Sequence, residues 1–435
     1  MIATVVISLI TFILIVISLL AFPRFKVKQI TIHTYWIIAL LGALILISFS
    51  LVPLKEAFVE LTNDSSINPL KILVLFFSMA LISILLDEFG LFSYLASLAI
   101  RSAKNQKILF FSFYFLVATL TIFTSNDVVI LTFTPFICFF LHRLKVNPVP
   151  YLVAEFAAAN TYSLLFIIGN PTNIFLATSA NISFIDYFKV MALPTLAAGA
   201  IELLLLYLIF RKKLNEPLTK VSSEVIHIKN KLLLIVGVSH LGLCLIFLVI
   251  SNYINLQMWL ISLICASSLL IFSLLITLIQ RKDTRVVINA SKRLPYELIP
   301  FFLSMFVIVV ALNYQGVSFE IAKLLGTKGT IFTYGYSSFL MCNVINNIPM
   351  SILYTGLCGT LESSIYLSSI YASIIGSNIG AFLTPIGALA GIMFISLLNT
   401  HEVKFTFLEF IKYGVVISIP TISGALIVLY LIYSF

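Results

Sequence analysis

Four short polar kernels interrupt an otherwise apolar chain of 435 residues. They are Thr124-Ser125-Asn126-Asp127, Gly169-Asn170-Pro171-Thr172-Asn173, Asn343 with Asn346-Asn347-Ile348-Pro349, and Ser377-Asn378 with Thr384-Pro385-Ile386-Gly387. Their side chains are amides, hydroxyls and a single carboxylate, a set that binds small ions rather than breaking bonds. Gly169, Pro171, Pro385 and Gly387 add a second resource. A Pro or Gly pair inside a helix frees backbone carbonyls and amides. Freed carbonyl ends suit cations, and freed amide ends suit anions. The candidate substrate- and ion-binding residues are therefore Ser125, Asn126, Asp127, Asn170, Thr172, Asn173, Asn343, Asn346, Asn347, Ser377, Asn378 and Thr384. Such residues also glue helices together in lipid. Four kernels at matching places in two halves of one chain favour a site.

Ionisable groups inside apolar segments are costly and point to function by default. Asp127 can bind a cation, carry a proton, or cap the apolar helix that follows it. Asp87, Glu88 and Glu155 are the further candidates for proton coupling, and Glu202 also falls within a span. The five cysteines, Cys138, Cys244, Cys265, Cys342 and Cys358, lie in or beside apolar segments and read as buried free thiols. His33 and His240 read as locally bonded, and His142, His227 and His401 as loop residues. The sequence carries no phosphate-binding loop, catalytic triad or metal-ligand spacing. The expectation is a non-enzyme with no resident metal or cofactor, using sodium or protons as coupling ion.

These kernels need elements to hold them. Hydrophobic residues make up 61% of the chain and charged residues 10%, with a mean hydropathy of +1.13. A soluble domain carries about 25% charge, so a bilayer is the expected solvent. A membrane span takes roughly 20 apolar residues in a helix. Such runs fall near 3–22, 31–53, 70–100, 150–180, 187–210, 231–250, 258–279, 295–313, 367–398 and 413–433. Stretches near 108–141 and 331–361 are broken at their middles and read as re-entrant hairpins, which lipid permits only where they line a protein cavity. The spans near 150–180 and 367–398 read as broken helices. Ala3–Phe22 reads as a retained span, and Lys404–Tyr413 as an interfacial helix.

The net charge of +9 belongs to short loops rather than to a nucleic-acid surface. With both termini outside, 21 of the 26 Lys and Arg residues fall in inside loops, including the Arg24–Lys28 loop and the Arg211–Lys231 linker. The expected location is the cell (inner or plasma) membrane, crossed many times.

The chain also repeats itself. Phe76-Phe77-Ser78-Met79 through Leu86-Asp87-Glu88-Phe89-Gly90 recurs as Phe302-Leu303-Ser304-Met305 through Leu312-Asn313-Tyr314-Gln315-Gly316. The fold class expected is all-α integral membrane: two inverted repeats of five spans, each with a re-entrant hairpin and a broken helix. The first repeat covers 1–210, a cytoplasmic linker 211–231, and the second repeat 232–435. Inverted repeats place a transport site where they meet, near the midplane.

The runs Leu86–Gly90, Ser125-Asn126-Asp127-Val128 through Thr134-Pro135, Asn346-Asn347-Ile348-Pro349 and Leu383-Thr384-Pro385-Ile386-Gly387 resemble the arsenite/antimonite efflux permeases. Those belong to the ion-transporter superfamily, with sodium/proton antiporters, silicon exporters and sodium-coupled dicarboxylate carriers. The resemblance spans nearly the whole chain. It implies paired hairpins, a scaffold with a moving transport domain, an elevator-like cycle and a homodimer. Asn346 stands where the antiporters of that superfamily usually carry Asp, and Gly169–Asn173 is more similar to the silicon-exporter and dicarboxylate versions. The resemblance implies efflux of a small inorganic ion, arsenite or antimonite, coupled to protons. The alternatives are sodium-coupled uptake of a dicarboxylate or other oxyanion, and sodium/proton antiport.

Overall fold

The computed structural model describes residues 1–21, 24–27, 30–63, 68–218, 228, 230–251 and 253–434. Parts of the Arg24–Lys28 loop and of the Arg211–Lys231 linker, with His227, Lys220 and Lys229, lie outside the described residues.

The described residues are all-α apart from one short antiparallel hairpin. α1 (Ile2–Ala21) leads through strands β1 (Arg24–Val27) and β2 (Ile30–His33) into α2 (Thr34–Ser48) and α3 (Leu54–Thr62). Then come α4 (Pro69–Glu88), α5 (Leu91–Ser102), α6 (Gln106–Phe123), α7 (Asn126–Arg143), α8 (Val149–Tyr162), α9 (Pro171–Ser179) and α10 (Phe184–Phe210). The second half supplies α11 (Lys231–Val249), α12 (Met258–Ile279), α13 (Arg285–Lys292), α14 (Leu298–Tyr314) and α15 (Val317–Leu325). It ends with α16 (Thr330–Ile345), α17 (Asn347–Cys358), α18 (Ser363–Gly380), α19 (Leu389–Thr400) and α20 (Phe407–Ser434). The helical series thus runs through one ten-member order twice.

Packing obeys the same exchange. α2 packs on α14 as α12 packs on α4, and α10 lies along α20. α6 packs on α8 as α16 packs on α18. α7 meets α19 of the other half, and α17 meets α9. Among the described residues six helices are long and apolar enough to cross a membrane, and a seventh span results if the bent pair α14–α15 is taken as one.

The stretch expected as one span over 70–100 is two helices. α4 begins on Asn68, whose side chain accepts from Leu70 N and Lys71 N, with Pro69 in the first helical position. It ends at Gly90, which has φ +91 and nothing within reach of an added Cβ. Backbone conformation rather than space therefore selects glycine there. Gly316 does the same with φ +75 after α14, and the chain bends 77° into α15. The span expected over 31–53 begins as strand β2 and becomes helical only at Thr34. Lys404–Tyr413 is not a separate interfacial helix, because α20 runs unbroken from Phe407. The two expected hairpins are helix–turn–helix pairs. α6 and α7 hold 18 residues each, about 27 Å per arm at 1.5 Å per residue.

Candidate functional site

The two hairpin turns meet the two helix breaks. In the first half, α8 stops at Tyr162 and the chain makes a 3-10 turn at Ile167–Gly169 before α9 begins at Pro171. Asn170 caps α9, its Oδ1 accepting from Thr172 N and Thr172 Oγ1, both at 3.1 Å. Asn173 turns back and donates to Ser163 O at 2.7 Å and Phe166 O at 3.4 Å, serving carbonyls that the broken helix has released. A Cβ at Gly169 would lie within 2.8 Å of Ser163 Cα, so the turn closes only on glycine.

In the second half, α18 ends at Gly380 and α19 begins at Leu389. Asn343 on α16 spans this break. Its Nδ2 donates to Gly380 O at 2.9 Å, and its Oδ1 accepts from Thr384 N at 3.1 Å and Thr384 Oγ1 at 2.7 Å. At the turn between α16 and α17, Asn346 Nδ2 donates to Ile386 O at 3.1 Å, and Asn347 N donates to Gly387 O at 3.0 Å. Asn346 takes φ 72 and ψ 155, a conformation that L side chains rarely adopt.

Asn378 joins the halves. Its Oδ1 accepts from Asn170 Nδ2 at 3.0 Å and from Ser163 Oγ at 2.8 Å, while its Nδ2 donates to Asn173 Oδ1 at 2.6 Å. The first hairpin enters through Asn126, whose Nδ2 donates to Asn160 Oδ1 at 3.1 Å. Asn160, Asn170, Thr172, Asn173, Ser377 and Asn378 are completely or almost completely buried. Among the described residues, three buried oxygens carried by the first turn and by α18 have no hydrogen-bond partner: Ser125 Oγ, Asn126 Oδ1 and Ser377 Oγ. An unpaired buried polar atom costs about 1–3 kcal/mol, so these positions are suited to a ligand that supplies the missing partner.

Sequence reasoning missed Asn160 and Ser163. A signal existed for Asn160. The offset that pairs Gly169 with Gly387 also pairs Asn160 with Asn378, and each of these two asparagines donates to the carbonyl four residues earlier.

The carboxylates divide. Asp127 is half-buried in the first turn of α7 and has no hydrogen-bond or ion-pair partner among the described residues. The capping role weighed for it does not appear, since the N-cap position is Ser125 and no side chain makes the cap hydrogen bond. Glu155 is buried between α7 and α8; its Oε1 accepts from Thr134 Oγ1 at 3.0 Å, and its Oε2 is unpaired. Asp87 and Glu88 engage no residue of the network. Both pair with Arg293 at 2.8 Å, near the surface. Glu202 is buried and accepts from Tyr114 OH and Thr161 Oγ1. Cys342 is packed beside the second turn with Sγ 3.2 Å from Phe339 O.

The family described as citrate transporter (CitMHS) matches residues 12–370, most of the chain. The chain belongs to this citrate transporter family. The chain is 26% identical over 375 residues to an arsenical pump membrane protein of Escherichia coli (strain K12), covering 83% of this chain and 86% of that protein. It is 26% identical over 436 residues to the uncharacterized transporter slr0753 of Synechocystis, covering 92% and 93%. It is 24% identical over 426 residues to a putative arsenical pump membrane protein of Bacillus subtilis, covering 90% and 93%. The solved YdaH transporter of Alcanivorax borkumensis, described as having an unusual topology, superposes with a TM-score of 0.55 at 14% identity, covering 99% of this chain and 97% of that one. The CitMHS chain is thus a multi-pass membrane transporter with an all-α fold of that kind.

Proposed function

We propose that the protein is a secondary active transporter of a small inorganic ion, with arsenite/antimonite-type efflux coupled to protons as the substrate assignment. The observation that carries this reading is the network centred on Asn378, where side chains from both halves meet and the neighbouring Asn126 and Ser377 each keep an unpaired buried oxygen. Its amides and hydroxyls bear no charge, so they accept a neutral acid or a weakly held ion without trapping it. The relatives named as arsenical pump membrane proteins support the substrate. Asp127, unpaired beside the first turn, is the proposed proton carrier, with Glu155 next.

In this reading 1–210 and 232–435 are inverted repeats joined by the cytoplasmic linker 211–231. The α6–α7 and α16–α17 pairs are re-entrant hairpins, and both termini lie outside. The hairpins and breaks move together against a scaffold in an elevator-like cycle, within a homodimer in the cell membrane.

A second reading, sodium-coupled carriage of a dicarboxylate or other oxyanion, is favoured by the citrate transporter description of the family. Ser125 Oγ and Asn126 Oδ1 would then complete an oxygen shell for sodium, as freed backbone does in other inverted-repeat carriers. Sodium/proton antiport is the remaining form of this reading. The test is uptake and efflux of arsenite, antimonite, citrate and succinate in proteoliposomes under separate proton and sodium gradients. Arsenite movement driven by the proton gradient alone supports the first reading. Sodium-driven citrate or succinate movement replaces it with the second.

A further inference from the structure

One buried carboxylate stands outside both the asparagine network and the coupling pair Asp127 and Glu155. Glu202 of α10 is completely buried, and both its oxygens face hydroxyls. Oε1 accepts from Tyr114 OH of α6 at 3.1 Å, and Oε2 accepts from Thr161 Oγ1 of α8. No Lys, Arg or His pairs with it among the described residues. A buried carboxylate without a cation is costly in its charged form. Packing alone does not call for one here. The matching helices of the second half, α16 and α20, are tied by Tyr336 OH and Ser423 Oγ at 2.8 Å, two hydroxyls and no acid.

Tyr114 gives the carboxyl two satisfied arrangements. Its OH lies 3.0 Å from Gly199 O and 3.1 Å from Glu202 Oε1, and a phenol has one proton to donate. With Glu202 ionised, that proton goes to Oε1. With Glu202 protonated at Oε1, the acid donates to the Tyr114 oxygen, and Tyr114 turns its own proton to Gly199 O. Thr161 donates to Oε2 in both states. Each group of the cluster therefore stays paired whether the proton is present or gone, and no heavy atom has to move.

The other ionisable groups on the surrounding helices are turned elsewhere, apart from Tyr162 of α8. Its ring centre is 5.9 Å from that of Tyr114, and its hydroxyl lies over Gly199, where a Cβ would collide with it. Also on α8, Glu155 bonds Thr134 and Tyr151 bonds Gln106. Lys107 sits in the first turn of α6. α20 runs along α10 and carries no ionisable residue from Gly414 to Leu429. On α11, Lys231 is the first residue, His240 bonds Val236 O and Ser268 Oγ, and Cys244 faces Met79. Within α10, Asp186 and Lys189 pair near its start, Tyr187 packs on Tyr371, and Tyr207 packs on Phe111.

Position ties the cluster to the site. Thr161 follows Asn160, whose Oδ1 accepts from Asn126 Nδ2 at the first turn, and Asp127 is the next residue there. Tyr114 and Glu202 each stand eight residues from a helix end, at Gln106 and Phe210, which is about 12 Å along the axis. In the proposed orientation both ends are cytoplasmic, so Glu202 lies between the hairpin turn and the inner surface.

We propose that Glu202 is a second proton-binding site of the transporter, with Tyr114 as the hydroxyl that switches between its two states. The coupling role rests on the proton-driven reading, in which Glu202 acts in series with Asp127 on the inner side. Proton binding itself stands on the cluster.

The experiment is infrared difference spectroscopy of the full-length protein in liposomes, titrated between about pH 5 and about pH 10. The expected result is a carboxylic-acid C=O band that bleaches as pH rises and is missing from Glu202→Gln. Thr161→Val removes the donor to Oε2, the carbonyl oxygen of the acid, and moves the same band to higher frequency; Thr161→Ser restores it. These two variants assign the band even where Glu202→Gln does not fold. A Glu202 band that never bleaches in this range overturns the proposal, as do acid bands indifferent to both Glu202→Gln and Thr161→Val. In proteoliposomes, arsenite accumulation on an imposed pH difference is lost in Glu202→Gln while arsenite exchange at equal pH persists. Undiminished accumulation in that variant also overturns the proposal. Parent protein in which arsenite ignores the pH difference overturns the transport reading instead, and the infrared band still decides whether Glu202 binds a proton.

Discussion

Asn378, on the helix that precedes the second break, donates its amide to Asn173 Oδ1 in the first break at 2.6 Å, and the two residues are 205 positions apart. Each also serves backbone of its own half: Asn378 donates to Ile374 O at 2.9 Å, and Asn173 to Ser163 O at 2.7 Å. The break in one half is therefore finished by a side chain from the other.

Coupling between these residues is measurable. Asn173→Ala strands buried carbonyls and should lower thermal stability by about 1–3 kcal/mol, as should Asn378→Ala. In a double-mutant cycle on purified protein the pair should cost clearly less than the sum of the single changes. Additive losses would mean that the contact carries no coupling.

Asp127→Asn removes a carboxylate that has no partner in the described structure, so the fold should be nearly unaffected. Proton-driven accumulation of arsenite in proteoliposomes should be lost, with residual exchange independent of pH. An Asn variant that still concentrates substrate on a pH difference removes Asp127 from the mechanism, and Glu155→Gln is then the variant to measure.

Membrane orientation can be read at exposed positions. Asn215 lies in the described part of the linker and Asn63 at the end of α3, both exposed. Cysteine at 215 should react with an impermeant maleimide only after the cytoplasmic face is opened, and cysteine at 63 should react in intact cells. The reverse pattern would overturn the orientation proposed here.

Asn346 holds a strained backbone and a site hydrogen bond at once. Strain of this kind costs about 1–3 kcal/mol. Asn346→Gly should melt close to the parent while losing transport, since glycine adopts φ 72 freely. Asn346→Ala keeps the strain, loses the bond to Ile386 O, and should melt several degrees lower than the glycine variant.

Arg293 pairs with Asp87 and Glu88 but is 36% exposed on its side chain, so water screens much of the attraction. Arg293→Ala should cost about 1 kcal/mol or less in thermal unfolding, and less still at high salt. A loss insensitive to salt would indicate packing of the arginine stem instead.

The spans were legible because lipid demands long apolar runs, and the kernels because polar groups inside such runs stand out. The equivalence of Gly90 and Gly316 was visible as a repeated segment, but its consequence was not. Apolar residues continue on both sides of Gly90, so hydropathy read one span where a left-handed residue ends a helix. The pairing of Asp87 and Glu88 with Arg293 was hidden for another reason. Contacts across some 200 residues leave no local pattern, and a carboxylate at the end of a span looks the same whether it meets a proton or a guanidinium. Asn160 escaped notice because it sits among Ala157, Ala158 and Ala159 without the Pro or Gly that marked the other kernels.

The exchange of side chains between the halves bears on how such a molecule could have come into being. Asn170 and Asn173 look to Asn378, α7 rests on α19, and α17 rests on α9. A chain that ended at the linker would leave its own break facing nothing able to close it. Half-length ancestors of this architecture could have worked only as pairs, each molecule lending its asparagines to another. On the proposed repeat reading, duplication and fusion would have secured a partner that each had already required, leaving the two tips free to differ: Asp127 follows Asn126 in one, and Ile348 follows Asn347 in the other.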